Sequence, residues 1–286
     1  MSDQKYTIKD YRSDLKPIWC PGCGDFGVLN SLYQALSQLQ IPPHNLALIS
    51  GIGCSSRLPG YVQTYGFNSV HGRVLPIATG AKMANTSVTV IGVGGDGDGF
   101  SIGSGHNPHA ARKNIDMTYI VMNNSIYGLT KGQASPTTPF GDITKTTVYG
   151  NAESPINPIR MMLSYNASFV ARVFSGHPKE TAGIFAKAIA HKGFAFVEAL
   201  SPCPTWRGRE QFTYIKENSS YLESDYEPND LVKAWELADE VEHGHKLGIF
   251  YNVPRMTYTE AVESIQEKSK VSGVPEPMDL LNMFAP

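Results

Sequence analysis

The chain has 286 residues, of which 41% are hydrophobic and 17% charged, and its formal net charge is -2. A chain of this length can bury a sizeable core as one large domain with an appended segment. The near-neutral charge and the lack of a long basic run argue against nucleic acid as a partner. The polar N-terminal segment and the lack of an apolar run of about 18 residues predict a cytoplasmic protein without membrane contact. In the cytoplasm thiols stay reduced and disulfides are rare.

Short apolar runs alternate with amphipathic stretches along the first 200 residues. Asp25 is predicted to cap a helix whose apolar residues recur every three or four positions as far as Leu39. A second helix is predicted over 178–192, with Gly193 as its C-terminal cap. Short runs rich in β-branched or aromatic residues predict buried strands at Leu46 to Ser50, Val88 to Val93, Thr118 to Met122, Phe169 to Phe174 and Phe194 to Leu200. This alternation predicts an α/β fold with a doubly wound, mainly parallel sheet.

Two parts of the chain depart from this alternation. The segment 130–160 is rich in Thr, Pro, Gly and Asn, and loops of this length are often functional. After residue 215 the composition becomes acidic, and helices are predicted near Asn229 to Glu242 and from a capping box at Thr257 to about Lys270. We therefore divide the chain into a main domain, 1–215, and a C-terminal helical extension, 216–286, that packs on the core or on a partner.

All four cysteines lie in turns, in the segments CPGCG, GCSS and SPCP. Cysteines that serve only as small apolar residues more often lie inside strands or helices. Cys20 and Cys23 form a C-x2-C pair that can place two thiolates on one ion or cluster, and the fold would have to bring Cys54 and Cys203 to them. The spacing alone favours zinc and a four-iron, four-sulfur cluster about equally, over two disulfides or four unrelated thiols.

A second motif, GDGDG at 95–99, directly follows one predicted strand, and an Asn-Asn pair follows the next. Asp96 and Asn124 lie 28 residues apart, about one strand-helix-strand unit, so their oxygens can share a hard cation such as Mg2+. The glycines let phosphate oxygens approach the backbone amides. The alternatives are a dinucleotide fingerprint, which lacks its acidic residue after the next strand, and a glycine-rich turn without a ligand. An EF-hand is excluded by the fifth and twelfth residues of the loop.

The motifs together resemble a known family. GDG with a downstream Asn-Asn is similar to the thiamine diphosphate motif. In order, CPGCGD, SGIGCSS, HGR, LPIATG, GDGD, NNSIYGLTKGQASPTT and SPCP resemble the beta subunit of 2-oxoacid:ferredoxin oxidoreductases over about residues 10–215. The resemblance implies a thiamine-diphosphate-binding fold and an enzyme that oxidatively decarboxylates a 2-oxoacid onto coenzyme A, with electrons passed through a 4Fe-4S cluster to ferredoxin.

The resemblance also implies roles for individual residues of the main domain. The cluster ligands would be Cys20, Cys23, Cys54 and Cys203. The Mg2+ ligands would be Asp96, the side chain of Asn124 and the main-chain carbonyl of Ile126. The thiamine would contact Ile52, Gly53, Ser55 and His71, and the diphosphate would contact the backbone around Gly97, Asp98, Gly128 and Leu129.

The family's thiamine-activating glutamate lies in a half of the enzyme that this chain does not contain. The resemblance therefore implies an alpha subunit, or alpha and gamma subunits, as partners of an assembled α2β2 or larger complex, and it assigns no catalytic residue here. Further implied partners are coenzyme A, ferredoxin and the 2-oxoacid.

Lys131 bears on the choice of substrate. Some members of the resembled family that accept dicarboxylates carry lysine at this position, whereas pyruvate-preferring members often carry a small residue. We expect its ammonium to pair with the second carboxylate of 2-oxoglutarate, a contribution of about 1.5–3 kcal/mol if desolvated; a solvated surface lysine is the alternative. The expected reaction is 2-oxoglutarate oxidation, or reductive carboxylation of succinyl-CoA. The alternatives are a pyruvate or broad-range oxidoreductase, a non-oxidative thiamine decarboxylase or synthase, and a zinc-stapled binding module.

Overall fold

An eight-stranded sheet with strand order β2-β1-β3-β4-β6-β5-β8-β7 forms the centre of the computed structural model, which describes residues 5–270 and 276–285. The strands are Leu46–Ser50 (β1), Tyr65–Asn68 (β2), Thr89–Gly95 (β3), Met117–Asn123 (β4), Phe169–Phe174 (β5), Phe194–Leu200 (β6), Ser219–Tyr221 (β7) and His245–Asn252 (β8). β1 to β6 pair in parallel, and β8 runs antiparallel to β5. The carboxyl ends of β1, β3, β4 and β6 therefore meet at one edge of the sheet.

Helices connect the strands and cover both faces of the sheet. They are Asp25–Leu39 (α1), Leu58–Tyr61 (α2), Val74–Ala84 (α3), Asn107–Lys113 (α4), Pro158–Ser164 (α5), Pro178–Ala190 (α6), Glu210–Glu217 (α7), Leu231–Leu237 (α8), Glu240–His243 (α9), Tyr258–Lys270 (α10) and Pro277–Met283 (α11). Single turns of tighter or wider helix occur at Ile8–Tyr11, Pro43–Asn45, Ser55–Arg57, Asp98–Ile102 and Ser104–His106. No helix in the described ranges is long and apolar enough to cross a bilayer.

Two apolar clusters pack against opposite faces of the sheet because successive side chains of a strand point to opposite sides. One cluster joins α1 and α6 to residues such as Val93 and Val197. The other joins α3, α4 and α5 to residues such as Tyr119 and Phe196. β5 and β6 are buried along their whole length, and full burial of one Phe side chain contributes about 1.5–3 kcal/mol. The rigid centre of the sheet fixes the loops at its carboxyl edge.

The predicted fold class is confirmed, and all five predicted strands are present with bounds that shift by at most two residues. β2, β7 and β8 were not predicted, and two of them follow residue 216, so the C-terminal segment is not only helical. α7 spans residue 215, and the division of the chain at that point stays a prediction.

Three helix boundaries differ from the prediction. Gly24, not Asp25, precedes the first helical residue, and the Asp25 carboxylate instead accepts a 2.5 Å hydrogen bond from Ser201 Oγ. The predicted helix near Asn229 to Glu242 is two helices, because the side chain of Asp239 accepts bonds from the first amides of a new helix. α6 ends at Ala190, before the expected Gly193 cap.

The helix predicted from Thr257 is confirmed as α10. Glu260 accepts a 2.8 Å bond from the Thr257 amide, and Thr257 Oγ1 accepts a 3.2 Å bond from the Glu260 amide. This reciprocal pair is the capping box that the sequence indicated.

Candidate functional site

A cavity of about 540 Å3 opens at the carboxyl ends of β1, β3 and β4. It brings together the residues expected around thiamine diphosphate and Mg2+, which come from the loops after four strands, β1 to β4. Those lining it are Ile52, Gly53, Ser55, His71, Asp96, Gly97, Asp98, Asn124, Ile126, Gly128 and Leu129. The individual roles of these residues stay predictions, but their convergence is a property of the fold.

Asp96 is buried in the wall of this cavity, with 2% of its surface exposed. Its Oδ2 accepts hydrogen bonds from Ser135 Oγ at 2.5 Å and from Thr137 Oγ1 at 2.7 Å. Burial raises the pKa of Asp96, and the two hydroxyls only partly oppose that effect. Within residues 5–270 and 276–285, no cationic side chain forms an ion pair with it. A buried carboxylate without a cationic partner fits a bound cation.

Asn124 and Ile126 lie in the turn after β4, on the same cavity. The Asn124 Oδ1 accepts a hydrogen bond from the Ile126 amide at 3.1 Å, which closes the turn. The preceding residue, Asn123, also uses its Oδ1 as an acceptor, for the Ser125 amide at 3.0 Å. The turn thus carries an amide side chain and main-chain carbonyls on the cavity that Asp96 also lines, and oxygen groups of these kinds bind Mg2+.

Asp98 joins three separate segments around the cavity. Its Oδ1 accepts hydrogen bonds from the backbone amides of Ile52 at 3.0 Å and Gly72 at 2.8 Å, and from His71 Nδ1 at 2.8 Å. Because the carboxylate only accepts, the His71 proton lies on Nδ1, and Nε2 is left as the hydrogen-bond acceptor of the ring. The sequence predicted only a backbone role for Asp98, whereas its side chain fixes both the Ile52 loop and the imidazole.

Gly97 is fixed by a close approach of the Tyr127 ring. A Cβ at Gly97 would lie 2.2 Å from a ring carbon of Tyr127, so no larger residue fits there. The Tyr127 hydroxyl donates to the Gly97 carbonyl at 3.1 Å, and the ring centroids of Tyr127 and His71 are 6.2 Å apart. The GDGD turn and the long loop after β4 are therefore in direct contact.

The four cysteines surround a second, smaller cavity of about 280 Å3. Cys20 is exposed, Cys203 is buried, and all four thiols are free. A Cβ at Gly128 would lie 3.7 Å from the sulfurs of both Cys54 and Cys203. Within the part of the chain that the structure describes, no three His, Cys, Asp or Glu side chains are arranged to hold a single metal ion. The four thiols thus line one cavity.

The two cavities share a wall formed by Cys54, Asn124, Gly128 and Leu129. Asp25 also lines the larger cavity and is buried, with 1% of its surface exposed. Burial raises the pKa of Asp25 to about 6, while Ser201 and the Cys23 thiol donate to it. Burial, with nearby Asp25, also raises the pKa of Cys54 to about 11. The unliganded Cys54 thiol is therefore protonated at neutral pH, and metal binding would displace its proton.

Comparison with known proteins identifies the family. Residues 51–199 match the family model of the thiamine pyrophosphate enzyme, C-terminal TPP binding domain. Residues 203–267 match the model of the C-terminal part of the pyruvate ferredoxin oxidoreductase beta subunit. The "2-oxoacid:ferredoxin oxidoreductase 2, subunit beta" of Aeropyrum pernix is 38% identical over 90% of this chain and 87% of that protein. The chain belongs to the 2-oxoacid:ferredoxin oxidoreductase beta subunits.

Two further relatives of this beta subunit have more specific names. The "2-oxoglutarate synthase subunit KorB" of Methanothermobacter thermautotrophicus is 41% identical over 90% of this chain and 91% of its own. A solved 2-oxoglutarate:ferredoxin oxidoreductase of Magnetococcus marinus, with 2-oxoglutarate, coenzyme A and succinyl-CoA bound, superposes with a TM-score of 0.94 at 41% identity. That match covers 99% of this chain and 97% of the other. The family and the thiamine-binding domain predicted from the motifs are confirmed.

Lys131 of the beta subunit lies in the loop at the cavity rim. The neighbouring Thr130 and Gln133 line the cavity, whereas Lys131 is exposed and is not among the lining residues. Its φ of 79° lies in the left-handed region, which non-glycine residues seldom adopt. Its amide donates to the Gly128 carbonyl at 3.2 Å, so the loop curls back onto the shared wall. Its contact with substrate stays a prediction.

Several residues of the beta subunit that touch both sites were not singled out from the sequence. Gln211 accepts from the Cys203 amide at 2.9 Å and donates to the Asn124 carbonyl at 3.2 Å, linking the cysteine loop to the turn after β4. Trp206 Nε1 donates to the Gly128 carbonyl at 2.9 Å. Ser135 and Thr137 lie within the ASPTT segment of a quoted motif, so their hydroxyls were visible in the sequence but their partner was not.

Proposed function

We propose that this chain is the thiamine- and cluster-binding subunit of a 2-oxoglutarate:ferredoxin oxidoreductase, working with an alpha subunit that completes the thiamine site. In the overall reaction 2-oxoglutarate and coenzyme A yield succinyl-CoA and CO2, and two electrons reduce two ferredoxins; the reverse is the reductive carboxylation of succinyl-CoA. One observation carries the proposal: the thiamine cavity and the four-cysteine cavity share the wall that contains Cys54 and Gly128.

A 4Fe-4S cluster is the group best suited to the cysteine cavity. Zinc is the other group that four cysteine thiolates hold, with all four sulfurs about 2.3 Å from one ion. Thiols spaced around about 280 Å3 suit a cluster that spans the space between them. Cys20, Cys23, Cys54 and Cys203 would each hold one iron.

Mg2+ suits the donor set beside the larger cavity. Asp96 supplies a buried anionic oxygen without a cationic partner in the ranges described, Asn124 an amide oxygen and Ile126 a main-chain carbonyl. The cation would hold the diphosphate against the glycine turn, where Gly97 carries no side chain of its own. Thiamine diphosphate, when bound, supplies the carbon nucleophile and the electron sink for decarboxylation.

The protein's own residues bind and orient around that group. Asp98 fixes the Ile52 loop and His71, and it leaves Nε2 as the acceptor atom of an imidazole that lines the cavity. The shared wall keeps the cluster close to the reacting centre, and burial at that wall helps to set the cluster's potential. The arrangement supports single-electron transfer from one cavity to the other.

The choice of 2-oxoglutarate rests on two observations. The KorB relative and the Magnetococcus marinus enzyme carry 2-oxoglutarate in their names, and Lys131 stands at the cavity rim on a loop anchored to Gly128. An ammonium at the rim would pair with the distal carboxylate of a dicarboxylic 2-oxoacid, a charge that pyruvate lacks.

The proposal is tested on the complex copurified without oxygen with its partner subunit. We expect about four irons per beta chain, bound thiamine diphosphate, and coenzyme-A-dependent ferredoxin reduction that is faster with 2-oxoglutarate than with pyruvate or 2-oxobutyrate. Zinc in place of iron would support a stapled binding module instead. Release of the aldehyde without ferredoxin reduction would support a non-oxidative decarboxylase. A preference for pyruvate would refute the substrate assignment.

A further inference from the structure

A chain of buried hydrogen bonds runs from Asp96 away from the cavity. The Thr137 hydroxyl lies 2.7 Å from Asp96 Oδ2 and 2.9 Å from Asn123 Oδ1, so it bridges the two side chains. Asn123 in turn donates from Nδ2 to Glu198 Oε1 at 2.7 Å. Asn123 is the last residue of β4 and precedes the turn that carries Asn124.

The chain continues through a buried ion pair. Arg172 and Glu198 are register partners on β5 and β6, and Arg172 Nε donates to Glu198 Oε2 at 2.6 Å. The two side chains are at most 1% exposed. Arg172 Nη2 also pairs with Glu240 at the start of α9, and His245 Nδ1 lies 3.2 Å from the same carboxylate. The network thus joins the cavity wall to the C-terminal segment.

A buried ion pair is a costly way to stabilise a core, because apolar residues of similar volume often serve as well. Its value here lies in the orientation of the Asn123 amide. Glu198 is a pure acceptor, so it requires the Nδ2 donor to face it. The Asn123 Oδ1 is then left to accept from the Ser125 amide. The Thr137 hydroxyl, 2.9 Å away, has one proton to share between this oxygen and Asp96. A flipped amide would turn its NH2 group toward the Ser125 N–H and its oxygen toward Glu198.

We propose that Glu198, held by Arg172 and Glu240, is a positioning residue for the turn 123–126 and for Asp96. Its charge sets the Asn123 amide, and that amide sets the geometry of the cation-binding oxygens. The inference rests on the proposed Mg2+ site. It assigns a role in cofactor binding to Arg172, Glu198 and Glu240, which do not line the cavity.

The test is a binding titration on the assembled, cofactor-free complex. Thiamine diphosphate affinity is measured by equilibrium dialysis at several Mg2+ concentrations, together with the thermal midpoint. Glu198→Gln keeps the shape of the side chain but removes its charge. We expect its apparent Kd at low Mg2+ to rise by about tenfold, as for other residues that orient metal ligands, and to recover as Mg2+ is raised. Glu240→Gln, on a partly exposed side chain, should show a smaller rise of about threefold.

A second buried ion pair offers a matched control. Lys82 Nζ lies 3.0 Å from Asp116 at the opposite edge of the sheet, just before β4 begins. Lys82→Met should lower the thermal midpoint and leave the Mg2+ dependence at the wild-type value. Wild-type Mg2+ dependence in Glu198→Gln, or in Glu240→Gln if the first variant does not fold, would overturn the inference.

Asp96→Asn separates this inference from the proposed function. If Asp96→Asn binds thiamine diphosphate like the wild type, the Mg2+ site itself is misassigned. If Asp96→Asn loses the cofactor while the Glu198 and Glu240 variants keep wild-type binding, only the positioning role fails.

Discussion

The two aspartates of the GDGD turn are expected to respond in opposite ways to substitution by asparagine. Asp98 Oδ1 accepts from the amides of Ile52 and Gly72 and from His71. A hydrogen bond to a charged group contributes about 1.5–3 kcal/mol and a neutral one about 0.5–1.5 kcal/mol, a difference of about 1 kcal/mol for each bond. Asp98→Asn should therefore lower the unfolding free energy of the cofactor-free protein by about 3 kcal/mol.

Asp96 accepts from the hydroxyls of Ser135 and Thr137 and, on the backbone, from its own amide and that of Gly97. Burial raises its pKa, so the ionised carboxylate is disfavoured in the folded, cation-free protein. Asp96→Asn removes that charge, and the unfolding free energy should stay level or rise. The same change removes the anionic Mg2+ ligand, so thiamine diphosphate affinity should fall by tenfold or more, on the order of the effect seen when ligand shells are disturbed.

Thermal midpoints of the cofactor-free complex and cofactor titrations on the same samples check both expectations. About 3 kcal/mol corresponds to a midpoint shift of roughly 6–12 °C for a domain of this size. The Asp98 variant should show the large shift with the smaller loss of affinity, and the Asp96 variant the reverse. Equal midpoint shifts in the two variants, or wild-type affinity in the Asp96 variant, would refute the roles drawn from these contacts.

Three more outcomes are expected. Cys54→Ser, at the shared wall, should lower both iron content and thiamine diphosphate affinity, whereas Cys20→Ser, at the exposed edge, should lower iron alone; full iron in either variant would exclude that residue as a ligand. Lys131→Ala should cost about 1.5–3 kcal/mol of transition-state stabilisation with 2-oxoglutarate, which lowers kcat/KM roughly 10- to 150-fold, and it should lower kcat/KM for pyruvate less. An equal loss for both substrates would mean that Lys131 supports the loop and does not bind the substrate. Burial opposes ionisation of Glu240, but Arg172 outweighs it and lowers the carboxyl pKa from 4.5 to about 2. The ionised Glu240 therefore stabilises the folded protein fully above about pH 4.5, and this stabilisation is lost as the pH falls toward 2. The unfolding free energies of wild type and Glu240→Gln should converge in that window. A constant difference between pH 6 and 3 would contradict this.

The central strands were predictable because burial on both faces makes them continuous apolar runs. β5 and β6 match the prediction residue for residue. β2 is exposed at all of its residues, and β7 has three residues, so neither carries the apolar signal of a strand. The helix boundaries that differ from the prediction depend on hydrogen-bond partners that the spacing of residues in the sequence does not reveal. Asp25, for example, bonds to Ser201, which is 176 positions away.

The candidate site was predictable where chemistry is concentrated in short motifs. The cysteines, the GDGD turn and the residues after β4 converge as expected at the carboxyl edge of the sheet. The residues that hold them were not predictable, because their partners are distant. Gln211 bonds to a carbonyl 87 residues away, and Asn123 to a carboxylate 75 residues away. The sequence around a single glutamine or glutamate does not indicate which distant group its side chain will bond to.

The pairing of Glu240 with Arg172 has a consequence for the order in which the molecule matures. Arg172 is synthesised 68 residues before Glu240, and β8 must lie along β5 before that pair is buried. A nascent chain that stops short of this point holds Arg172 with one carboxylate partner instead of two. Under the proposed positioning role, the full set of partners that holds Glu198 and the turn after β4 is therefore complete only when β8 has paired with β5.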